Sequence, residues 1–509
     1  MPKGKDSIFN GNLLPCAVIL LAVFILYGHT LSFDITVFDD NVLVKNTLYE
    51  HISNIFKFFF QDIFGSETRF YRPILSISLM SDYLLRIPGY FAFHFTNVLL
   101  HAAACCLLFF FLIQNQASRK MSFLLVLLFA VHPAFVQAVA WIPGRNDTLL
   151  ACICISSLIV FHKYLENDFS SLNSHGFLNS EKWLALHILL FLAAMFTKET
   201  AVMIPVATLS MAYADLVPSF DRENAKKCLK FIIPQSLALI LYFAVRNSAD
   251  LGSADIEYWK SLKGLFLLPV FFLKSFFLFD FHIYKRWAFF SLPSLIFFFS
   301  LIAAGFSLAD RKMRPKYILG IVFAFLFIAP VFVKTKGINP FFLGHRFYLP
   351  SAFLLLSLSA ILNGGKIRNL YRYISSGTLC CLYSMFFAFL ICLSYCQCSY
   401  FRDTNVFWEQ ACVEMPSDFT AQAMVAMNYY ERDMIAPAVI HARKTLEINP
   451  RHEDMNMILG MDAVRKGDLR LALDYMRKEL ENNPKNATAD MVVPQLENIV
   501  SKLAINSEK

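Results

Sequence analysis

From Leu13 to Tyr400 the chain repeats one feature, apolar runs separated by short charged or aromatic breaks. The runs are about 20 residues long, enough for a helix to cross the ~30 Å of hydrocarbon in a bilayer with its backbone polar groups satisfied internally. Lipid is therefore the solvent to which this sequence is fitted. The composition agrees: 57% of residues are hydrophobic and 17% charged, and Phe occurs 54 times. A soluble chain carries about a quarter charged residues. The net charge of +8 is spread over loops, which argues against a nucleic-acid partner.

The runs predict eleven spans, near residues 12–32, 90–113, 121–140, 148–165, 183–197, 201–215, 230–247, 287–307, 317–333, 347–363 and 375–397. The first follows Lys3 and Lys5 like a signal peptide. No small-residue cleavage site comes after it, so it reads as a transmembrane helix. With the N-terminus in the cytoplasm, the clusters Arg119/Lys120, Arg222/Lys226/Lys227/Lys230, Arg311/Lys312/Arg314/Lys316 and Lys366/Arg368/Arg372 all face inward. The run Gly264–Phe279 carries Lys274 near its middle, which would cost roughly 3 kcal/mol inside a span. It is expected to lie in the outer interface. Residues 33–89, with Phe58, Phe59 and Phe60 beside polar neighbours, are expected as a large first outer loop with interfacial helices. Most of the twelve Cys sit within apolar runs as small fillers. Cys392, Cys396 and Cys398 crowd the end of the last span near Cys412, where a disulfide is one option and zinc-ligand spacing is lacking.

The membrane part is thus expected over 1–400 and a soluble helical part over 401–509. Pro450 and Pro484 are 34 residues apart. Aligning on them sets Ala426, Tyr429 and Ala438 against Gly460, Ala463 and Ala472. Small residues at those offsets let two helices pack closely, and the period is that of tetratricopeptide repeats. Repeats over 417–450 and 451–484 and a capping helix over 485–509 are expected, on the non-cytoplasmic side.

The ionisable residues near the membrane are one-sided. Asp39 and Asp40 follow the first span, Arg145 and Asp147 lie in the outer turn Trp141–Thr148, Lys198 and Glu199 sit between two runs, and His345 and Arg346 open the tenth span. A transporter would instead place paired charges near the midplane. His94, Asn97 and His101 share one face of the second span, which must point to protein or water. Packing and ligand binding both fit that stripe. The adjacent carboxylates fit either helix termination or a general base for an acceptor hydroxyl, one Asp doing the chemistry while the other orients a ligand, a water or a metal. Arg145, Lys198 and Arg346, should they converge, would form a phosphate clamp; singly, each would be a snorkelling or capping residue.

These residues fall in stretches that resemble the transmembrane and tetratricopeptide repeat-containing protein family. They are Phe38–Asn41, Tyr71-Arg72-Pro73, Phe93–His101, His132-Pro133, Ala138–Asp147, Lys198-Glu199 and Arg346–Ser351, in that order. The resemblance implies an all-α GT-C-type helix bundle related to the protein O-mannosyltransferases. It also implies an inverting transferase that uses a polyprenyl- or dolichyl-phosphate sugar as donor, with no covalently bound cofactor and the metal requirement left open. Asp39 with Asp40 would stand at the catalytic centre. Arg145, Lys198, Arg346 and Arg72 would meet the donor phosphate, and His94, Asn97, His101, Asp147, Glu199 and Tyr348 would line the substrate pocket. The chain departs from the family at His345, where an acidic residue is usual. It also shows two repeats where animal members carry many, which points to a bacterial-type relative in an inner membrane.

The resulting expectation is a multi-pass transferase acting on a protein Ser or Thr at the non-cytoplasmic face, with a membrane-lipid donor and a protein partner on the repeats. The rivals are a transferase for a cell-surface glycan or lipid and a non-catalytic repeat scaffold. Asn146-Asp-Thr148 and Asn486-Ala-Thr488 match a glycosylation pattern, and neither is expected to be used.

Overall fold

The computed structural model describes residues 11–64, 70–170, 174–216, 222–249, 251, 292–332, 344–371 and 375–507. Among them every regular element is a helix. The chain divides into two compact units, one ending at Arg402 and the other covering Asp403–Lys509.

In chain order the helices of the first unit are α1 (Leu13–Tyr27), α2 (Asp40–Val44), α3 (Pro73–Leu84), α4 (Phe91–Gln114), α5 (Arg119–Ala130), α6 (Val136–Ala140), α7 (Arg145–Ser170) and α8 (Ser174–Thr197). They continue with α9 (Ile204–Leu216), α10 (Arg222–Asn247), α11 (Leu292–Leu308), α12 (Arg314–Ile328), α13 (Tyr348–Leu362), α14 (Gly365–Tyr371) and α15 (Ser376–Cys398). Among the described residues, seven helical stretches are long and apolar enough to cross a membrane. A bent pair, Arg119–Ala130 with Pro133–Ala140, makes up to eight. The protein is a multi-pass helical membrane protein. The other three expected spans correspond to α9, α11 and α12, of 13, 17 and 15 residues. At 1.5 Å per residue the described part of none of these covers ~30 Å alone. The run Gly264–Phe279 lies outside the described residues.

The expected third span is broken rather than straight. Pro133 disfavours a helical His132, whose ψ is 128°, so α5 stops and the chain restarts at an angle of 58°. The restarted helix ends at Trp141, and a tight turn through Gly144 feeds α7. A Cβ on Gly144 would lie 2.3 Å from the Gln137 carbonyl oxygen and 2.8 Å from Ala138 Cα, so only glycine lets the returning chain press onto α6. This hairpin packs against α4, from which Asn97 Nδ2 donates to the carbonyl oxygens of Val139 (3.3 Å), Trp141 (3.0 Å) and Ile142 (3.3 Å).

The first outer loop is more than a surface covering. Ile35, Leu43, Tyr49, Phe58, Leu75 and Leu79 form an apolar core of its own, closed by Phe93 of α4 and Ile142 of the hairpin turn. Ile52 and Phe56 of this loop stay exposed, as an interfacial segment requires.

In the second unit, α16 (Thr404–Glu414) precedes two helix pairs, α17 (Phe419–Glu431) with α18 (Ile435–Ile448) and α19 (Met455–Arg465) with α20 (Leu469–Asn482). α21 (Ala487–Ser507) follows them. The pairs lie inside the expected 417–450 and 451–484. Ala426, Ala438, Ala463 and Ala472 are buried in their common core, and a Cβ on Gly460 would meet Met476 at 2.9 Å. The small residues thus stand where the helices approach most closely. Each pair turns on a residue with left-handed backbone, Asp433 (φ 60°) and Gly467 (φ 78°), 34 positions apart. Cys392, Cys396, Cys398 and Cys412 are free thiols.

Candidate functional site

The two first-loop carboxylates, adjacent in sequence, occupy different surroundings. Asp40 is 1% exposed, and both its oxygens accept hydrogen bonds. Oδ2 takes Thr36 N (2.7 Å) and Thr36 Oγ1 (3.0 Å), while Oδ1 takes Phe38 N and Asn41 N (3.1 Å each). Thr36 Oγ1 in turn accepts from Trp141 Nε1 at 3.1 Å, tying the loop to the hairpin turn. Asp39 is half-buried, and among the described residues its carboxylate accepts no hydrogen bond. Burial and then the charge of Asp40 push it up to about 6, against the pull of Arg72 and Arg346. A carboxylate without fixed partners and with this basicity is suited to take a proton near neutral pH.

Two cations from different elements, Arg72 and Arg346, act on it, and Lys198 joins the same cluster through Asp147. Arg72, before α3, is paired with Glu199 through Nη2–Oε1 (2.8 Å) and Nε–Oε2 (3.3 Å). Lys198 has extended backbone between α8 and the next turn, and its Nζ sits 2.7 and 2.8 Å from the Asp147 oxygens and 2.9 Å from Asn146 Oδ1. Arg346 starts the tenth expected span and makes no hydrogen bond or ion pair among the described residues, yet its charge is felt at Asp39. Burial lowers the Lys198 ammonium, with Asp147 opposing. Glu199 lies among enough protein to raise its carboxyl, though 48% of its side chain stays accessible. Arg72 and Lys198 override that and hold it at about 2. Such convergence, which no reading of the sequence could supply, creates an anion-seeking corner beside a free base.

Not every expected site residue joins this cluster. Arg145, expected at the donor phosphate, is fully buried and saturated. Its Nη2 lies 2.5 Å from Asp82 Oδ2 and donates to Phe93 O (2.7 Å), Nη1 donates to Ser78 O (3.1 Å), and Nε donates to Asn97 Oδ1 (2.8 Å). It knits α3, α4 and α7 together, with no donor left for a ligand. Asn97 is consumed by the same network. His101 Nδ1 meets Tyr348 Oη at 2.7 Å and its Nε2 meets Ala130 O at 3.0 Å, a clamp of α4, α5 and α13. His94 is buried, edge-on to Phe33. Arg145, Asn97, His101 and Tyr348 therefore form packing behind the site. Asp147 and Glu199 stand in the cluster, as ion-pair partners of its cations.

One contributor escaped the sequence reading, and a second was read only as a departure from the family. Asp82, the partner of Arg145, is signalled only by being an acid within the apolar stretch Pro73–Leu84. His345 lies with Nε2 3.8 Å from Asp147 Oδ2 and its ring 5.5 Å from that of Trp141, which also stacks on Phe38 at 5.8 Å. Among the described residues, no group of three or more His, Cys, Asp or Glu side chains is placed to hold a metal ion.

No protein-family model matches the chain. Against curated proteins it is 31% identical over 237 residues to the Drosophila melanogaster protein named Protein O-mannosyl-transferase Tmtc1, covering 44% of this chain and 25% of that one. The chain is a TMTC-like relative. Drosophila Protein O-mannosyl-transferase Tmtc2 is 29% identical over 228 residues (43% and 23%), and human Protein O-mannosyl-transferase TMTC4 28% over 189 residues (33% and 25%). The matched part spans about a quarter of the length of these curated relatives. The TMTC likeness therefore bears on ancestry, and what the cluster around Asp39 does is argued from its chemistry.

Proposed function

We propose that this TMTC-like chain is an inverting membrane glycosyltransferase. It moves a sugar from a polyprenyl- or dolichyl-phosphate donor to a Ser or Thr hydroxyl of a protein, at the non-cytoplasmic membrane boundary. The observation that carries this reading is a carboxylate that accepts no hydrogen bond among the described residues, Asp39 at about 6, beside Arg72 and Arg346, with Lys198 held on Asp147 in the same cluster. The relatives are named protein O-mannosyl-transferases, which supports it.

The step balances simply. The acceptor oxygen attacks the anomeric carbon on the face opposite the phosphate and gives its proton to Asp39. The bond from the anomeric carbon to the phosphate oxygen breaks, and the lipid phosphate leaves with the electron pair. Its growing charge meets Arg346 first, the cation that makes no hydrogen bond or ion pair among the described residues, with Arg72 and Lys198 alongside. The lipid chain would lie against the bundle in the bilayer, and the helix pairs of the second unit offer a surface for a protein acceptor or partner.

The test is transfer of label from radiolabelled polyprenyl-phosphate mannose to candidate acceptor proteins by the purified full chain. Label reaching a protein, with loss in Asp39→Asn, is the expected result. Label moving only to glycan or lipid would replace the acceptor, and no transfer to any acceptor would leave a non-catalytic scaffold.

A further inference from the structure

The proposed reaction needs one base, yet the first loop carries two neighbouring acids, and their surroundings divide the labour. Asp39 has no hydrogen-bond partner among the described residues, whereas Asp40 is buried and receives four bonds on two oxygens. All four are donated to Asp40, so its carboxylate is filled as an acceptor and has no lone pair turned to a substrate. Three of the donors are backbone N–H groups or a hydroxyl from Thr36 and Phe38, just upstream of Asp39, and the fourth is the N–H of Asn41 just downstream. The carboxylate therefore closes the turn on which Asp39 sits.

Thr36 extends this lock into the bundle. Its hydroxyl accepts from Trp141 Nε1 (3.1 Å) and donates to Asp40 Oδ2 (3.0 Å), which fixes its direction. Trp141 is itself held by the Asn97 bond to its carbonyl oxygen (3.0 Å) and by stacking on Phe38. A continuous path thus runs from α4 through Trp141, Thr36 and Asp40 to the backbone of Asp39.

We propose that Asp40 is a positioning residue for Asp39, locking its turn to the Trp141 hairpin and standing as a fixed negative charge beside it. This rests on the transferase reading for its consequence in rate, but not for its consequence at Asp39. A fixed anion next to Asp39 makes the proton-bearing form of Asp39 easier to reach, which is what a base must do when it accepts the acceptor proton. Burial raises the carboxyl of Asp40 itself, and the Thr36 and Phe38 bonds counter that rise.

The experiment reads the protonation of Asp39 without requiring turnover. The purified full chain is treated with dicyclohexylcarbodiimide, which attacks protonated carboxyls in apolar surroundings, across a pH series, and Asp39 modification is quantified by mass spectrometry. The wild-type midpoint should fall near pH 6. In Asp40→Asn it should drop by about one pH unit as the neighbouring charge disappears. Thr36→Val removes the hydroxyl that joins Trp141 to Asp40 and changes no charge, so it disturbs the turn less than Asp40→Asn. It should hold the midpoint while lowering kcat of transfer about tenfold through misplacement of the base.

An unchanged midpoint in folded Asp40→Asn would overturn the charge role. A Thr36→Val enzyme with full kcat would overturn the positioning role. If the wild-type chain transfers no sugar at all, the transferase reading fails, while the midpoint shift still decides on Asp40.

Discussion

Arg145 Nη2 stands 2.5 Å from Asp82 Oδ2, and neither residue is more than 4% exposed. The pair joins α3 to α7 beneath the first outer loop, and Thr96 Oγ1 donates to the other Asp82 oxygen at 2.7 Å. A buried pair of this kind is worth little against a well-packed apolar substitute, but breaking one half strands a charge.

Arg145→Met should therefore destabilise the protein by about 3–5 kcal/mol. Arg145→Met with Asp82→Leu should cost less than the single change, since no orphan charge remains. Thermal unfolding of the detergent-solubilised chain measures both. A stable Arg145→Met protein that lost only donor binding would restore Arg145 to the phosphate site.

Asp39→Asn should abolish transfer by a factor of about 10²–10⁴, the usual worth of a general base. The same change should stabilise the fold. The carboxyl of Asp39 rises from its ordinary 3.8 to about 6 on folding, so the folded chain prefers it protonated. The stability this contributes is complete below about pH 4 and is lost as pH climbs through about 6, a swing of about 3 kcal/mol at most. The variant should thus melt higher than wild type at pH 7.5 and equal to it at pH 4. A lower melting point at pH 7.5 would contradict the burial of a free charge.

The pH dependence of kcat/KM should rise with unit slope through about 6 and level off above it, because Asp39 must be ionised to accept a proton. Initial rates between pH 5 and 8 at low donor concentration report this limb. A flat profile over that range would remove Asp39 from the role of base.

Arg346→Ala should weaken binding of polyprenyl phosphate by about 10–100-fold, in the range of a charge-assisted bond, and leave folding intact. Arg72→Ala and Lys198→Ala would also strip Glu199 and Asp147 of their partners, so their losses should appear partly in stability. Titration with labelled polyprenyl phosphate, run beside thermal unfolding, separates the two kinds of defect. Equal affinity in Arg346→Ala and wild type would refute its place at the phosphate.

Much of this protein was legible in one dimension, because its strongest constraints are periodic or local. Apolar runs such as Phe91–Gln114 meet bilayer thickness, and the 34-residue spacing of Pro450 and Pro484 meets the spacing of the two helix pairs. The break at His132-Pro133 is written in the sequence as well, yet hydropathy alone predicts one span over 121–140, since it registers apolarity and ignores φ and ψ.

The division of roles among charged residues was not legible. Arg145 and Arg346 have the same side chain and both open apolar helices, and only packing separates them: one is surrounded by Asp82, Ser78, Phe93 and Asn97, the other has no such partner among the described residues. Asp39 and Asp40 differ even less in sequence, and their difference arises from which one turns toward the donors of Thr36, Phe38 and Asn41. The sequence by itself determined a membrane helix bundle with charge gathered at one set of helix ends. Which charges cancel, which hold the fold and which stay open to a ligand was decided by the tertiary structure alone. Solvation and pairing energies depend on distances of a few ångströms between residues far apart in the chain, and no local pattern records those distances.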